Sequence, residues 1–384
     1  MNDVFMNTYH RLPVVFTKGQ GARLTGTNGK TYLDFTAGIA VNCLGHNHPA
    51  LVQAVREQAE KLFHVCNYYQ SDVSAAFAEK LIEISGMRNL FLCNSGAEAN
   101  EGAIKIARKY SFKKYGENRH RIVTLKGSFH GRTITTLSAT GQEKFHVNFG
   151  PFTEGFVYIQ ANDIHELERA LSAPAVCAFF AEPVQGESGV IPLDAAFLKR
   201  AAALCAEHDL LFMADEVQCG VGRTGAFLAC EHYGILPDVA TLAKGICGGI
   251  PAGVILAGEK AAAVLEPGDH GTTFGGNALA AAAGLVVLET LRAPGFMQSI
   301  THKGAFFAEK FRGMPKAGEV RGLGLMLAAD VETDAAAVLE KALAAGLLVL
   351  GAGPKTLRFL PPYTITESEI EEGIAILRSV LLGC

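Results

Sequence analysis

A chain of 384 residues has room for two domains and a large core; 49 % apolar and 19 % charged residues give it the composition of a soluble, rather apolar protein. Its formal charge of −4 argues against a nucleic-acid partner. The longest apolar run, 278–288, is too short to span a bilayer, so no membrane partner is expected.

Met1-Asn2-Asp3 opens a start with neither the basic nor the apolar region of a signal peptide, which predicts a cytoplasmic chain. Nine cysteines, an odd number without a CxxC pair, predict free thiols rather than disulfides or a metal site. Asn28-Gly29 is a strong turn signal, so residues 14–35 read as a hairpin. Gly29-Lys30-Thr31 imitates the end of a phosphate-binding P-loop, but that motif needs glycine where Leu24 stands. His46 and His48 have no third ligand nearby and read as loop or capping residues. Helical periodicity follows over 49–61 and 74–84.

Residues 89–93 read as a buried strand that turns through Asn94-Ser95-Gly96-Ala97-Glu98 into a helix. Ser95 suits the N-cap, and Glu98 completes a capping box. The same residues suit a phosphate site, because free N–H groups of Gly96 and Ala97 would stand at a positive helix end. Taken alone, the pattern fits both readings equally. A strand over 121–125 runs into Gly127-Ser128-Phe129-His130-Gly131-Arg132. There Phe129 can fill the core or cover a flat ligand. Arg132 can be a solvated charge or grip a carboxylate bidentately.

Strands over 175–181 and 210–214 end in Glu182 and in Asp215-Glu216-Val217-Gln218, with a crossover helix over 196–207 between them. Acids directly after apolar strands need a cation or hydrogen-bond donors. Gly220-Val221-Gly222-Arg223-Thr224-Gly225 matches GxGxxG by letter, but it neither follows a strand directly nor opens a helix, so a dinucleotide site is not expected. Lys244 closes an apolar stretch and is followed by glycines. A lysine at a strand end, desolvated by its neighbours, can lose its proton and attack a carbonyl. Beyond it lie a strand over 252–257, a glycine-rich loop over 270–277 and an alanine-rich helix over 278–291. Ala293-Pro294-Gly295 reads as a domain boundary, with helices near 296–312 and 333–345 and strands over 323–328, 347–350 and 357–360 beyond it.

A strand-end lysine, an acid, an aromatic and a capped helix end are what pyridoxal 5′-phosphate requires. The sequence resembles the class III, fold-type I aminotransferases over nearly its whole length, and within them the acetylornithine and ornithine aminotransferase group. The resemblance rests on Asn94-Ser95-Gly96-Ala97-Glu98-Ala99-Asn100, Ser128-Phe129-His130-Gly131-Arg132-Thr133, Glu182-Pro183-Val184-Gln185-Gly186-Glu187, Asp215-Glu216-Val217-Gln218, Val221-Gly222-Arg223-Thr224-Gly225, His270-Gly271-Thr272-Thr273-Phe274-Gly275-Gly276-Asn277 and Leu357-Arg358-Phe359.

It implies an α/β fold: a large cofactor domain over 46–292 with a mostly parallel central sheet flanked by helices. A smaller α+β domain over 293–384 is joined by the segment 1–45. It implies that Lys244 binds pyridoxal 5′-phosphate as a Schiff base and shuttles the proton, and that Asp215 pairs with the ring nitrogen. Phe129 and Val217 enclose the ring, Gln218 approaches its phenolic oxygen, and Glu216 counts among the cofactor contacts. Ser95, Gly96 and Ala97 take the phosphate, and Thr273 reaches the phosphate in a partner subunit, which implies a homodimer with shared sites. Arg132, with Thr272 nearby, binds substrate carboxylate, and Glu187 and Arg358 form a switchable pair. The implied reaction moves the terminal amino group of N-acetylornithine to 2-oxoglutarate; ornithine, succinylornithine or succinyldiaminopimelate are the alternative donors. An aminomutase or decarboxylase would use the same cofactor cage. Lys244-Gly245-Ile246-Cys247-Gly248-Gly249 departs from the family's usual pattern, which has alanine after the lysine and leucine two further on, and Ser188 stands where glycine is common.

Overall fold

The buried strands read from the sequence assemble into one seven-stranded sheet in a computed structural model that describes residues 4–384. Met1, Asn2 and Asp3, on which the reading of the chain start rests, lie outside the described residues. Across the sheet the order is Asn89–Cys93, Gly253–Ala257, Val239–Leu242, Leu211–Asp215, Val176–Ala181, Arg121–Leu125 and Phe156–Ile159. All run parallel except Gly253–Ala257, which is antiparallel to both neighbours. Every residue of the strands Val176–Ala181, Leu211–Asp215 and Val239–Leu242 is buried. Continuous apolar runs are what a sheet covered on both faces demands.

Alternation along the strands divides the core. Phe180 and Met213 pack with Ala99, Ala103 and Ala107 of the helix Gly96–Tyr115. Phe179 and Phe212 face the opposite side, against Leu167 of the helix Ile164–Leu171 and Phe197 of the helix Ala195–Glu207. Ala195–Glu207 is the crossover expected between two adjacent parallel strands. The apolar run 278–288 lies in the helix Ala278–Arg292, most of whose residues are buried. No single helix among the described residues is long and apolar enough to cross a membrane.

The hairpin strands Arg23–Gly26 and Thr31–Asp34 form as expected, with Phe16–Gln20 added on the outside. Leu347–Leu348 pairs in parallel with Thr31–Asp34, which ties the N-terminal segment to the C-terminal part of the chain. There Arg321–Leu323, Met326–Asp330, Thr356–Phe359 and Leu350–Gly351 make an antiparallel sheet, backed by the helices Phe296–Phe311 and Glu367–Leu382. The helices Ile134–Ala139 and Ile164–Leu171 were not expected, nor were one strand and one further helix. Phe156–Ile159 is a four-residue edge strand, too short for its alternation to register. Glu367–Leu382 opens with a capping box, Thr366 with Glu369, which is a helix-start signal visible in the residues themselves.

Between the hairpin and the helix Pro49–Ala59 the backbone makes a left-handed turn: Ala37, Gly38, Ile39 and Ala40 have φ of 44°, 64°, 65° and 64°. For non-glycine residues this costs roughly 1–2 kcal/mol each. The buried Asp34 carboxylate holds the turn by accepting from the N–H groups of Thr36 at 2.8 Å and Ala37 at 3.1 Å. Its other oxygen bonds His46 Nε2 at 2.8 Å, so His46 is a structural partner, as its sequence context implied. His48 occupies the N-cap of Pro49–Ala59 without a side-chain capping bond.

Candidate active site

The parallel strands deliver their carboxyl ends to one edge of the sheet, where ligands of α/β folds bind. A cavity of about 450 Å³ opens there. Asp215, the last residue of its strand, and Lys244, just beyond Val239–Leu242, both line it. Lys244 opens a short 3₁₀ turn with φ of 47°. Because Gly253–Ala257 runs the other way, the segment leading into it, Gly249 to Ala252, supplies a further wall.

Asp215 is buried, and its charge is shared among three donors. Asn100 Nδ2 and His130 Nδ1 both lie 2.8 Å from Oδ2, and the Val217 N–H donates to Oδ1 at 3.1 Å. Asn100 is fixed in turn by the Thr241 hydroxyl at 2.6 Å. The His130 ring stacks on Phe180 with centroids 4.2 Å apart, and its buried Nε2 has no hydrogen-bond partner. Lys244 Nζ forms no hydrogen bond or salt bridge among the described residues. Burial pushes its pKa down, against the raising influence of Glu187, Asp215 and Glu182. An ammonium that sheds its proton readily is a nucleophile and a proton carrier.

At the helix end, the Ser95 hydroxyl accepts from the Glu98 N–H at 3.2 Å, as an N-cap should. The reciprocal half of the expected box is displaced by one residue: Glu98 accepts from the Asn94 N–H at 2.6 Å and Asn94 Nδ2 at 2.9 Å. The first N–H groups of a helix have no intrahelical acceptor, and Gly96 and Ala97 stand there on the cavity wall. A Cβ on Gly96 would meet Val217 Cγ1 at 2.7 Å, so the close approach of these two walls requires glycine. Phe129 and Val217 both line the cavity. The donor set therefore suits a flat group with an anion at Gly96 and Ala97, a protonated ring nitrogen at Asp215 and a carbonyl at Lys244 Nζ.

Next to this cavity Arg358, buried in the strand Thr356–Phe359, pairs with Glu187 at 2.6 Å. The same Nη1 donates to Gly186 O at 3.2 Å and Gln218 Oε1 at 3.1 Å, while Gln218 Nε2 reaches Glu187 at 3.2 Å. Burial alone would raise the Glu187 pKa; the Arg358 guanidinium overcomes it and holds the carboxyl below its usual range. Arg132 is exposed at the cavity rim, its guanidinium 4.1 Å from the Phe145 ring centroid and 5.3 Å from that of Phe129.

Three expected site residues lie elsewhere. Glu216 turns away from the cavity and accepts from the N–H groups of Ala229 at 2.8 Å and Cys230 at 2.9 Å. It follows Asp215 directly, so its side chain takes the opposite side, and burial pushes its carboxyl up to about 7. Thr272 accepts from Asn94 Nδ2 at 3.0 Å and the Gly275 N–H at 3.2 Å and does not line this cavity. Thr273 is exposed and, with Thr272, lines a separate hollow of about 340 Å³. Conversely, Asn100, His130 and Glu182 belong to the cavity and were given no role by sequence reasoning. The GxGxxG-like stretch is a turn, not a nucleotide loop. Its fully buried Arg223 donates to Leu325 O at 3.0 Å and Pro361 O at 2.6 Å, clamping the two parts of the chain together.

A lysine and an aspartate brought by strand ends into one cavity suit an enzyme that works through a carbonyl cofactor. Residues 4–381 match the family described as Aminotransferase class-III, and the chain belongs to that family. It is 48 % identical over 381 residues to the acetylornithine aminotransferase of Caldanaerobacter subterraneus subsp. tengcongensis, covering 98 % of this chain and 96 % of that one. Among solved structures it resembles the N-acetylornithine aminotransferase of Stenotrophomonas maltophilia, with a TM-score of 0.86 and 40 % identity over 98 % of this chain and 97 % of the other. It also resembles the ornithine aminotransferase of Toxoplasma gondii, with a TM-score of 0.94 and 35 % identity over 99 % and 93 %.

Proposed function

We propose that this chain moves the terminal amino group of N-acetylornithine to 2-oxoglutarate, giving N-acetylglutamate 5-semialdehyde and glutamate, as a step of arginine biosynthesis. The observation that carries the reaction class is an unpartnered Lys244 sharing one cavity with an Asp215 fixed by Asn100 and His130. The donor follows from relatives named acetylornithine aminotransferase, which reach 48 % identity. Pyridoxal 5′-phosphate is the cofactor; when bound it supplies an electron sink and a carbonyl that carries the amino group between the two substrates.

In this reading Lys244 Nζ accepts and returns the migrating proton, a task its lowered pKa favours. Asp215 keeps the ring nitrogen protonated, and Ser95, Gly96 and Ala97 bind the phosphate. Phe129 and Val217 orient the ring and exclude water, with Gln218 beside it. Arg132 binds the donor's carboxylate. Glu187 covers Arg358 while the donor, whose reacting carbon bears no carboxylate, is in the site. It releases Arg358 for the carboxylate next to the reacting carbon of 2-oxoglutarate, a removable counter-ion that discriminates between two substrates. Thr273, exposed at a separate hollow, contacts the phosphate of a second subunit, so the working unit is a homodimer. We divide the chain into a joining segment 1–45, a cofactor domain 46–292 and a small domain 293–384. Free cysteines throughout support a cytoplasmic location.

Ornithine is the alternative donor, favoured by the closer superposition on the Toxoplasma enzyme. Assaying N-acetylornithine, ornithine and their succinylated analogues against 2-oxoglutarate decides between them. A preference for free ornithine would overturn the acetylated donor.

A further inference from the structure

Glu182 is the acid of the cavity to which nothing above gives a task. It directly follows the strand Val176–Ala181, is 4 % exposed, and lines the same cavity as Asp215 and Lys244. Its two oxygens are used on two different loops. Oε1 accepts from the Phe129 N–H at 2.9 Å, and Oε2 from the Gly186 N–H at 3.2 Å. Gly186 in turn offers its carbonyl to Arg358 Nη1 at 3.2 Å. One glycine thus touches the arginine with its oxygen and Glu182 with its nitrogen. A Cβ at 186 would meet Gln218 Oε1 at 2.3 Å, so any side chain there would have to displace the Gln218 amide from Arg358.

We propose that Glu182 is a positioning residue that ties the Phe129 loop to the Gly186–Glu187 loop, so that release of Arg358 by Glu187 is transmitted to the wall formed by Phe129. This rests on the aminotransferase reading given above. The route is continuous: Arg358 to Gly186 O, Gly186 N to Glu182, Glu182 to Phe129 N. Burial, with the Asp215 charge beside it, pushes the Glu182 carboxyl up, while the Phe129 and Gly186 N–H groups that it accepts from pull it down. A second link between the loops exists, Gln185 Nε2 to Lys126 O at 3.0 Å, but it lies at the far end of the loop from Phe129 and makes no bond to Arg358.

Contiguity alone does not establish coupling, so the test measures coupling itself. Amide hydrogen exchange is followed over residues 127–132 in cofactor-loaded protein. Opening the pair with Glu187→Ala should speed exchange in this segment, which Glu187 does not touch, by about tenfold, the effect of weakening one hydrogen bond. In a Glu182→Gln background the same Glu187→Ala change should have no further effect. A glutamine amide can accept one of the two N–H groups but presents its own NH₂ to the other. In a Gln185→Ala background the effect should persist. Unchanged exchange at 127–132 in Glu187→Ala overturns the proposal, even where Glu182→Gln fails to fold. Loss of the effect in Gln185→Ala and not in Glu182→Gln also overturns it. The aminotransferase reading fails separately, on an absence of amino-group exchange with 2-oxoglutarate, which the exchange measurement does not depend on.

Discussion

Replacing Glu187 by Gln removes the charge that faces Arg358 while keeping the shape of the side chain. Arg358 Nη1 would keep Gly186 O at 3.2 Å and Gln218 Oε1 at 3.1 Å, so the guanidinium is not stranded and the fold should hold. What disappears is the charge-assisted part of a 2.6 Å contact, roughly 1.5–3 kcal/mol. Glu187 is only half-buried, and solvent screening places the expectation at the lower end of that range. At about 1.4 kcal/mol per factor of ten, the half-reaction with glutamate should gain about tenfold on that with N-acetylornithine. The gain arises because an α-carboxylate no longer has to displace an anion. Stopped-flow absorbance of the bound cofactor follows each half-reaction separately. If the ratio of the two rates in Glu187→Gln stays within about twofold of the unaltered protein, well short of the factor set by the lost contact, the pair is structural only.

Four further outcomes are expected. Borohydride reduction followed by peptide mapping should label Lys244, and Lys244→Ala should retain cofactor non-covalently without turnover. Mixed dimers of Lys244→Ala with Thr273→Ala should regain activity above either parent, since one of their two sites escapes both lesions; no recovery would remove the support for a shared site. Arg223→Met strands the Leu325 and Pro361 carbonyls and should cost roughly 2–6 kcal/mol in denaturant unfolding. Glu216 has a native pKa raised to about 7, so its stabilising contribution is complete below about pH 4 and is lost as pH rises through 7. The Glu216→Gln variant should therefore show a flatter fall in stability between those limits.

The chemistry was legible where a residue's position along a strand fixes its surroundings. Lys244 and Asp215 follow apolar runs directly, and such runs end at the site edge. Glu216 shows the limit of that reasoning: it shares a motif with Asp215, yet alternation sends its carboxylate to the N–H groups of Ala229 and Cys230. Asn100 and His130 were invisible for the converse reason. They belong to a helix and a loop distant in sequence from Asp215, and only the folded sheet brings them within 2.8 Å of it. The displaced capping bond of Glu98 falls below what spacing can resolve, since Asn94 and Ser95 both offer a backbone N–H within its reach. The short strand Phe156–Ile159 escaped because four residues at a sheet edge carry too little periodicity.

The reversed strand Gly253–Ala257 sets where this protein can be lengthened. In an all-parallel sheet, each strand leaves the site edge through a long crossover with slack to absorb insertions. Here the chain leaves Val239–Leu242, presents Lys244, builds a wall from Gly249 to Ala252, and re-enters the sheet at Gly253 beside it. Residues 243–252 are connection and cavity wall at once, and they carry Lys244. Insertional scanning should find this interval intolerant throughout. The exposed turn around Gly116, past the end of the helix Gly96–Tyr115 and on the opposite edge, should accept extra residues with little loss.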